Sequence, residues 1–261
     1  MNESLYFYVP LIGFLVGGLV ASTGVGGGVL LLPILIIGLR VPPIVAVGSD
    51  VVFMFLTKLW AVVLHWRRSN VDWQLAIALA LGSVPGELAG VGLLAFLRFS
   101  WGAGVNSFLR ALIGVLLVVL PIVSLVIDRI KLRRGASLRD GAPLRSNRYK
   151  GAVLIGLVGG FLVGLTSVGS GSVIMLLLML FYRRAPAVLV GTDIFNAMIL
   201  TGVTGIVHLK MGTVDARLVA GLMVGSVAGV LLGAKLTTIV PSIWLRRAVL
   251  LLLITAGIKM L

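Results

Sequence analysis

Two carboxyls, Asp50 and Asp193, stand early in long apolar runs. An ionisable group at membrane depth is expensive, so a functional role is the default expectation for it. A carboxyl held away from bulk water can exchange a proton with its surroundings. At about 100° per helical residue, Thr57, Lys58 and His65 share a face with Asp50. Asn196, Thr201, Thr204 and His208 share a face with Asp193 in the same way. Each apolar cylinder therefore carries one polar stripe, which must meet a wet cavity or another polar surface. Asp50, Asp193, His65 and His208 are the candidates for carrying a coupling proton, since histidine titrates near neutral pH. The alternatives are structural: the acids cap a helix turn or pair with Lys58, and the histidines sit at the interface. Glu87 is alone in its block beside Pro85 and Gly86, which suggest a local kink; binding of a cation, binding of a proton and pairing with a basic residue all stay open for it.

Glycine-rich runs interrupt two other apolar regions. One is Thr23-Gly24-Val25-Gly26-Gly27-Gly28; the other is Thr166-Ser167-Val168-Gly169-Ser170-Gly171. Broken backbone at membrane depth persists where protein buries it or a wet cavity satisfies it. A helix that starts after such a break aims free N–H groups and a positive dipole end into that space. Thr23, Thr166, Ser167, Ser170 and Ser172 add hydroxyl donors. Together the runs suggest a paired anion site; the alternative is close helix packing through small residues. No strand precedes either run and no Gly-Lys-Ser/Thr occurs, so a dinucleotide or P-loop reading fails. Two histidines without further ligands make no metal site. No Ser-His-Asp spacing and no His-Glu-x-x-His motif is present, so nothing in the sequence supports an enzyme. No catalytic residue, metal or cofactor is expected.

The elements that must position these residues follow from composition. Of 261 residues, 59% are apolar and 11% charged, and none is cysteine. Mean hydropathy is +1.17. These values exclude an ordinary cytosolic enzyme, a disordered chain, a disulfide-stapled domain and thiolate metal chemistry. Apolar blocks long enough to span a bilayer run at about 44–66, 73–97 and 105–127, after an interrupted region 5–39. A second interrupted region, 151–182, precedes blocks at about 188–207, 218–240 and 244–261. The net charge is +14, and eight of the 22 basic residues, from Arg129 to Lys150, fall together in the polar stretch 128–150. That is a cytoplasmic loop under the positive-inside bias rather than a nucleic-acid surface. The acidic start Met1-Asn2-Glu3-Ser4 lacks the basic region of a signal peptide, so the first apolar segment is expected to be retained.

The halves repeat. At a constant offset of 143, the difference between positions 50 and 193, Arg183 falls on Arg40 and Pro186 on Pro43. Asp193 falls on Asp50, His208 on His65, Asp215 on Asp72 and Trp244 on Trp101. Apolar low complexity aligns Leu and Val by chance, but not this set of polar and aromatic residues. The chain divides into a first membrane repeat 1–127, a basic cytoplasmic loop 128–150 and a second membrane repeat 151–261. An odd number of crossings per half keeps Arg67-Arg68, Arg183-Arg184 and Arg246-Arg247 inside. That favours inverted repeats with both termini outside. The expected fold is an all-α polytopic integral membrane protein. Each half has a Gly-rich broken or re-entrant first region followed by three spanning helices.

The break Thr23-Gly24-Val25-Gly26-Gly27-Gly28 with Pro33, the segment Pro43-Ile44-Val45-Ala46-Val47-Gly48-Ser49-Asp50, and their second-half copies resemble the TauE/SafE family of sulfite exporters over essentially the whole chain. The resemblance implies movement of sulfite, sulfoacetate or related sulfur-containing or organic anions across the bacterial cytoplasmic membrane. Carried over by position, the implied substrate site is Thr23, Gly24, Gly26, Gly27, Gly28 and Ser49 with Thr166, Ser167, Gly169, Ser170, Gly171 and Thr192. Asn196, on the stripe of Asp193, joins this set. Family members often carry a small hydroxyl residue where this chain has Asp50 and Asp193. Two acids repel a divalent anion unless protonated or paired, which weighs against sulfite itself and for proton coupling. The expected function is secondary transport of a small anion, with a proton as co-substrate, the lipid bilayer as surroundings and no nucleic-acid partner. A non-transporting membrane scaffold and a passive anion channel are the alternatives.

Overall fold

The computed structural model describes residues 7–23, 27–67, 70–133, 148–168, 173–182, 186–236 and 242–261. Every regular element among them is helical. In the first half these are α1 (Val9–Thr23), α2 (Gly27–Pro33) with a π-helical turn (Ile34–Gly38), α3 (Pro43–Arg67), α4 (Trp73–Trp101) and α5 (Gly104–Arg133). In the second they are α6 (Arg148–Thr166), α7 (Val173–Phe181), α8 (Pro186–Lys210), α9 (Ala216–Leu236) and α10 (Ser242–Met260). Among the described residues five helices are long and apolar enough to cross a membrane: α3, α4, α5, α6 and α8. The chain is a multi-pass membrane protein. Its burial pattern is the reverse of a soluble domain's. Leu81, Phe96, Phe99, Val224 and Leu251 are exposed, while Ser49, Asp50, Glu87, Asn196 and His208 are fully buried. Lipid accepts the former; the latter need partners inside the bundle.

Element boundaries recur at the 143-residue offset. α1 stops at Thr23 and α6 at Thr166; α3 spans Pro43–Arg67 and α8 spans Pro186–Lys210. Proline suits each first turn, where its missing N–H costs nothing. The helices α4 and α9 start after the same cap. Asp72 Oδ1 accepts the Leu75 N–H at 3.2 Å, and Asp215 Oδ1 accepts the Leu218 N–H at 3.0 Å. The second interrupted region is broken as the sequence suggests, with α6 ending at Thr166 and the chain turning at Ser167 and Val168; residues 24–26 of the first region lie outside the described residues. Glu87 with Pro85 lies inside a helix that continues unbroken from Trp73 to Trp101.

In lipid there is little hydrophobic drive between helices, so close packing through small residues decides who pairs with whom. The two tightest seams exchange helices between halves. On α4, Gly82, Gly86 and Gly90 face the backbone of α6 at Val153, Leu157 and Phe161, and Gly156, Gly160 and Gly164 of α6 face Leu79, Ser83 and Glu87. A Cβ at any of the six would collide with an opposing carbonyl oxygen. The numbers rise together, so α4 and α6 run parallel. The seam between α1 and α9 is built alike, with Gly13 against Leu222, Gly17 against Ser226 and Gly229 against Phe14. α3 and α8 cross differently. Gly202 meets Phe55, Gly205 meets Val52, and His208 meets Gly48, so these two equivalent helices run antiparallel.

Candidate functional site

Asp50 lies where the two breaks come together. Its Oδ2 accepts a hydrogen bond from Ser167 Oγ at 2.6 Å, with both groups buried. A Cβ added to Gly28 would lie 2.6 Å from the same oxygen and 3.3 Å from the Ser167 carbonyl. The first half's break and the second half's break thus both close on one carboxyl, and the absence of a side chain at Gly28 is what allows it. Ser167 reaches this place because the chain turns sharply after α6. Its φ is +59°, a conformation costly for a non-glycine residue. The turn is held by Ser167 N donating to Val163 O at 2.7 Å and Val168 N donating to Thr166 Oγ1 at 3.2 Å. Thr166 Oγ1 in turn donates to Leu162 O at 2.8 Å. Thr166 therefore builds the turn, and Ser167 presents the hydroxyl.

Asp193 occupies the equivalent depth on α8 and is buried. Because α3 and α8 are antiparallel, the two acids enter the bundle from opposite ends. Lys58, on α3, feels the fields of Asp193, Asp50 and Glu87. It is itself buried, on the same stripe as Asp50. Buried charges unrelieved by partners cost several kcal/mol each, roughly, so this shared cation matters to the fold as well as to any ligand.

Ser49 and Thr192 are engaged across the halves. Ser49 Oγ accepts the Asp215 N–H at 3.0 Å, and Thr192 Oγ1 accepts the Asp72 N–H at 3.0 Å. Asn196 is fully buried, and its Oδ1 accepts from Ser83 Oγ at 2.8 Å. His208 is buried rather than interfacial, with Nδ1 2.8 Å from Thr213 Oγ1. Of the remaining sequence candidates, Gly24, Gly26, Gly169, Ser170 and Gly171 lie outside the described residues, as do the side chains of Thr23 and His65; Gly27 begins α2.

Five buried polar atoms have no hydrogen-bond partner among the described residues: Asp50 Oδ1, Glu87 Oε2, Asp193 Oδ1, Asn196 Nδ2 and His208 Nε2. Native proteins leave few such groups unsatisfied, and each calls for an explanation. Here all five belong to α3, α4 and α8. An apolar groove of about 320 Å³ at the α3–α8 crossing, lined by Val52, Phe55, Met198, Ile206 and Leu209 among others, contains none of them. Among the described residues no group of three acidic, histidine or cysteine side chains is arranged to hold a metal.

A family model described as Sulfite exporter TauE/SafE matches residues 9–260. The chain belongs to the TauE/SafE family. The chain is similar to the probable membrane transporter protein YjnA of Bacillus subtilis, 38% identical over 232 residues, covering 88% of this chain and 89% of YjnA. The probable membrane transporter protein YdhB of the same organism is 27% identical over 257 residues, covering 97% of this chain and 99% of YdhB. A probable membrane transporter protein of Methanocaldococcus jannaschii, MJ0441, is 28% identical over 193 residues, covering 69% of this chain and 65% of that one. No solved structure matches the chain. This TauE/SafE protein is therefore a membrane transporter by family.

Sequence reasoning missed part of the cluster. Thr204 is legible in the sequence as a stripe residue without a stated task, Lys58 as a partner for the stripe acids, and Glu87 as a solitary acid. Thr204 Oγ1 donates to Glu87 Oε1 across α8 and α4. No spacing along one helix could reveal that bond. The available signal was that an acid so deep must find a partner on some other polar stripe.

Proposed function

We propose that this TauE/SafE protein is a secondary transporter that carries a small sulfur-containing or organic anion, of sulfite or sulfonate type, across the bacterial cytoplasmic membrane with proton coupling. The observation that carries the reading is the meeting of Gly28 and Ser167, one from each half, on the Asp50 carboxyl. Transporter sites form where discontinuous helices of two repeats meet near the midplane. The antiparallel α3–α8 pair supports inverted repeats. Binding falls to the surroundings of the two breaks, Ser167 and Gly28 with Asn196, and the coupling proton to Asp50 and Asp193. Three acids facing one lysine repel an anion when all are ionised, so protons on the acids would admit it and their loss would expel it. The α1–α9 and α4–α6 seams tie each half to the other. Rocking therefore moves bodies made of helices from both repeats, not one covalent half against the other.

Proteoliposomes test this directly. Uptake of sulfite, sulfoacetate and other small sulfonates should saturate and respond to an imposed pH gradient. Asp193→Asn should abolish that response while protein remains folded. An unchanged response would remove Asp193 from the coupling. Unsaturable flux indifferent to the gradient would mark a channel, and no flux of any anion would leave the scaffold reading.

A further inference from the structure

Glu87 is at the centre of α4, fully buried. One carboxyl oxygen takes the Thr204 hydroxyl; the other, Oε2, has no hydrogen-bond partner among the described residues. Lys58 on α3 is the charged group whose field reaches it. One turn earlier on α4, Ser83 holds Asn196 by its carbonyl oxygen and leaves the amide donor Nδ2 without a partner among the described residues. Two helices, α4 and α8, thus bring an acid and an amide donor to one seam, with the buried Lys58 of α3 within electrostatic reach.

The second half carries no copy of this set. At the 143-residue offset, Glu87 corresponds to Val230, Lys58 to Thr201, Asn196 to Phe53 and Thr204 to Ala61. Val230 is exposed where Glu87 is fully buried, so the two positions sit in different surroundings. A carboxyl buried at membrane depth is held at a cost, and the cost points to a task.

We propose that Glu87 carries the proton that travels with the anion, and that Lys58 is the anion's charged contact beside it. This rests on the transporter reading above. An ionised Glu87 would turn the unpartnered oxygen against an arriving anion. With a proton on Oε2 it becomes an O–H donor aimed at the same space, alongside the Lys58 ammonium. One proton enters with one monovalent anion and both leave together, so charge balances without any bond being made or broken. Asp50 and Asp193, entering from opposite ends, keep the coupling role given them above by passing this proton to and from Glu87. The other charged surroundings are few. α8 contributes Asp193 three turns before Thr204 and His208 one turn after it, and α6 has no titratable residue between Gly151 and Thr166.

The experiment uses the full-length protein in detergent with methanesulfonate, ethanesulfonate and isethionate, monovalent anions whose charges stay fixed around neutrality. Binding is followed at mildly acid and mildly alkaline pH, and proton uptake with an indicator dye in weak buffer. Wild type should bind more tightly on the acid side and take up one proton per anion. Glu87→Gln should bind with little pH dependence and take up none. Asp193→Asn should still take up the proton at equilibrium although its flux no longer follows a pH gradient. Lys58→Met should weaken binding by about tenfold or more at either pH. Proton uptake by Glu87→Gln would overturn the assignment while leaving the transporter reading standing. Failure of wild type to bind any of the three sulfonates would overturn both. Should Glu87→Gln not fold, Thr204→Val must shift the pH at which uptake occurs; an unshifted profile would refute the role of Glu87.

Discussion

The hydroxyl of Ser49 accepts the backbone N–H of Asp215, and 143 residues away in both partners the hydroxyl of Thr192 accepts the N–H of Asp72, each at 3.0 Å. Each bond fastens the cap of one half's helix, α9 or α4, to the stripe-bearing helix of the other half. The two bonds are copies of each other, as expected of a clamp that a duplicated fold makes twice. Losing one such bond costs about 1 kcal/mol. Ser49→Ala and Thr192→Val should each lower the unfolding temperature in detergent. Anion affinity of the folded protein should stay near wild type. Weakened binding with unaltered unfolding would give these hydroxyls to the substrate instead.

Asp50 should be sensitive to both of its contacts from the breaks. Ser167→Ala removes a hydrogen bond to a carboxyl, a loss of about 1.5–3 kcal/mol where the acceptor is charged. Transport should fall by about an order of magnitude or more if the bond forms in the transporting state. Gly28→Val pushes a side chain onto Asp50 Oδ2 and should abolish pH-driven uptake in proteoliposomes. Wild-type uptake by either variant would show that the meeting of the breaks is a packing feature.

The interlocked glycines of α4 and α6 make a sharper structural prediction. Overpacking a tight contact costs about 1–3 kcal/mol and more when backbone must yield. Gly86→Leu or Gly160→Leu should leave little monodisperse protein, as size-exclusion chromatography would show. Gly92 is on the same helix with nothing within 4 Å of its added Cβ. There, Gly92→Ala should be neutral or raise the unfolding temperature, since alanine favours helix by about 1 kcal/mol. Equal damage at Gly92 and Gly86 would contradict the seam.

The sequence by itself determined the material and the plan. Apolar blocks of bilayer length, a basic central loop and the repeated Asp, His and Pro positions required a duplicated helical membrane protein with broken first regions. Those features are local or depend on constant spacing, and hydropathy and period read such patterns directly. The polar stripes of α3 and α8 were legible for the same reason: Asp50, Lys58, Asn196, Thr204 and His208 are buried as one face of each helix predicts. What the stripes meet was not legible. That Ser167 reaches Asp50, that Thr204 reaches Glu87, and that α1 packs on α9 rather than within its own half depend on contacts more than 110 residues apart in the first two cases. Helix periodicity fixes which side of a cylinder is polar. It does not fix which cylinder lies opposite, because in lipid that choice is made by the fit of small residues between two surfaces. The folded bundle alone therefore decides that Ser167 closes on Asp50 and Thr204 on Glu87, and that the two halves are built into each other rather than set side by side.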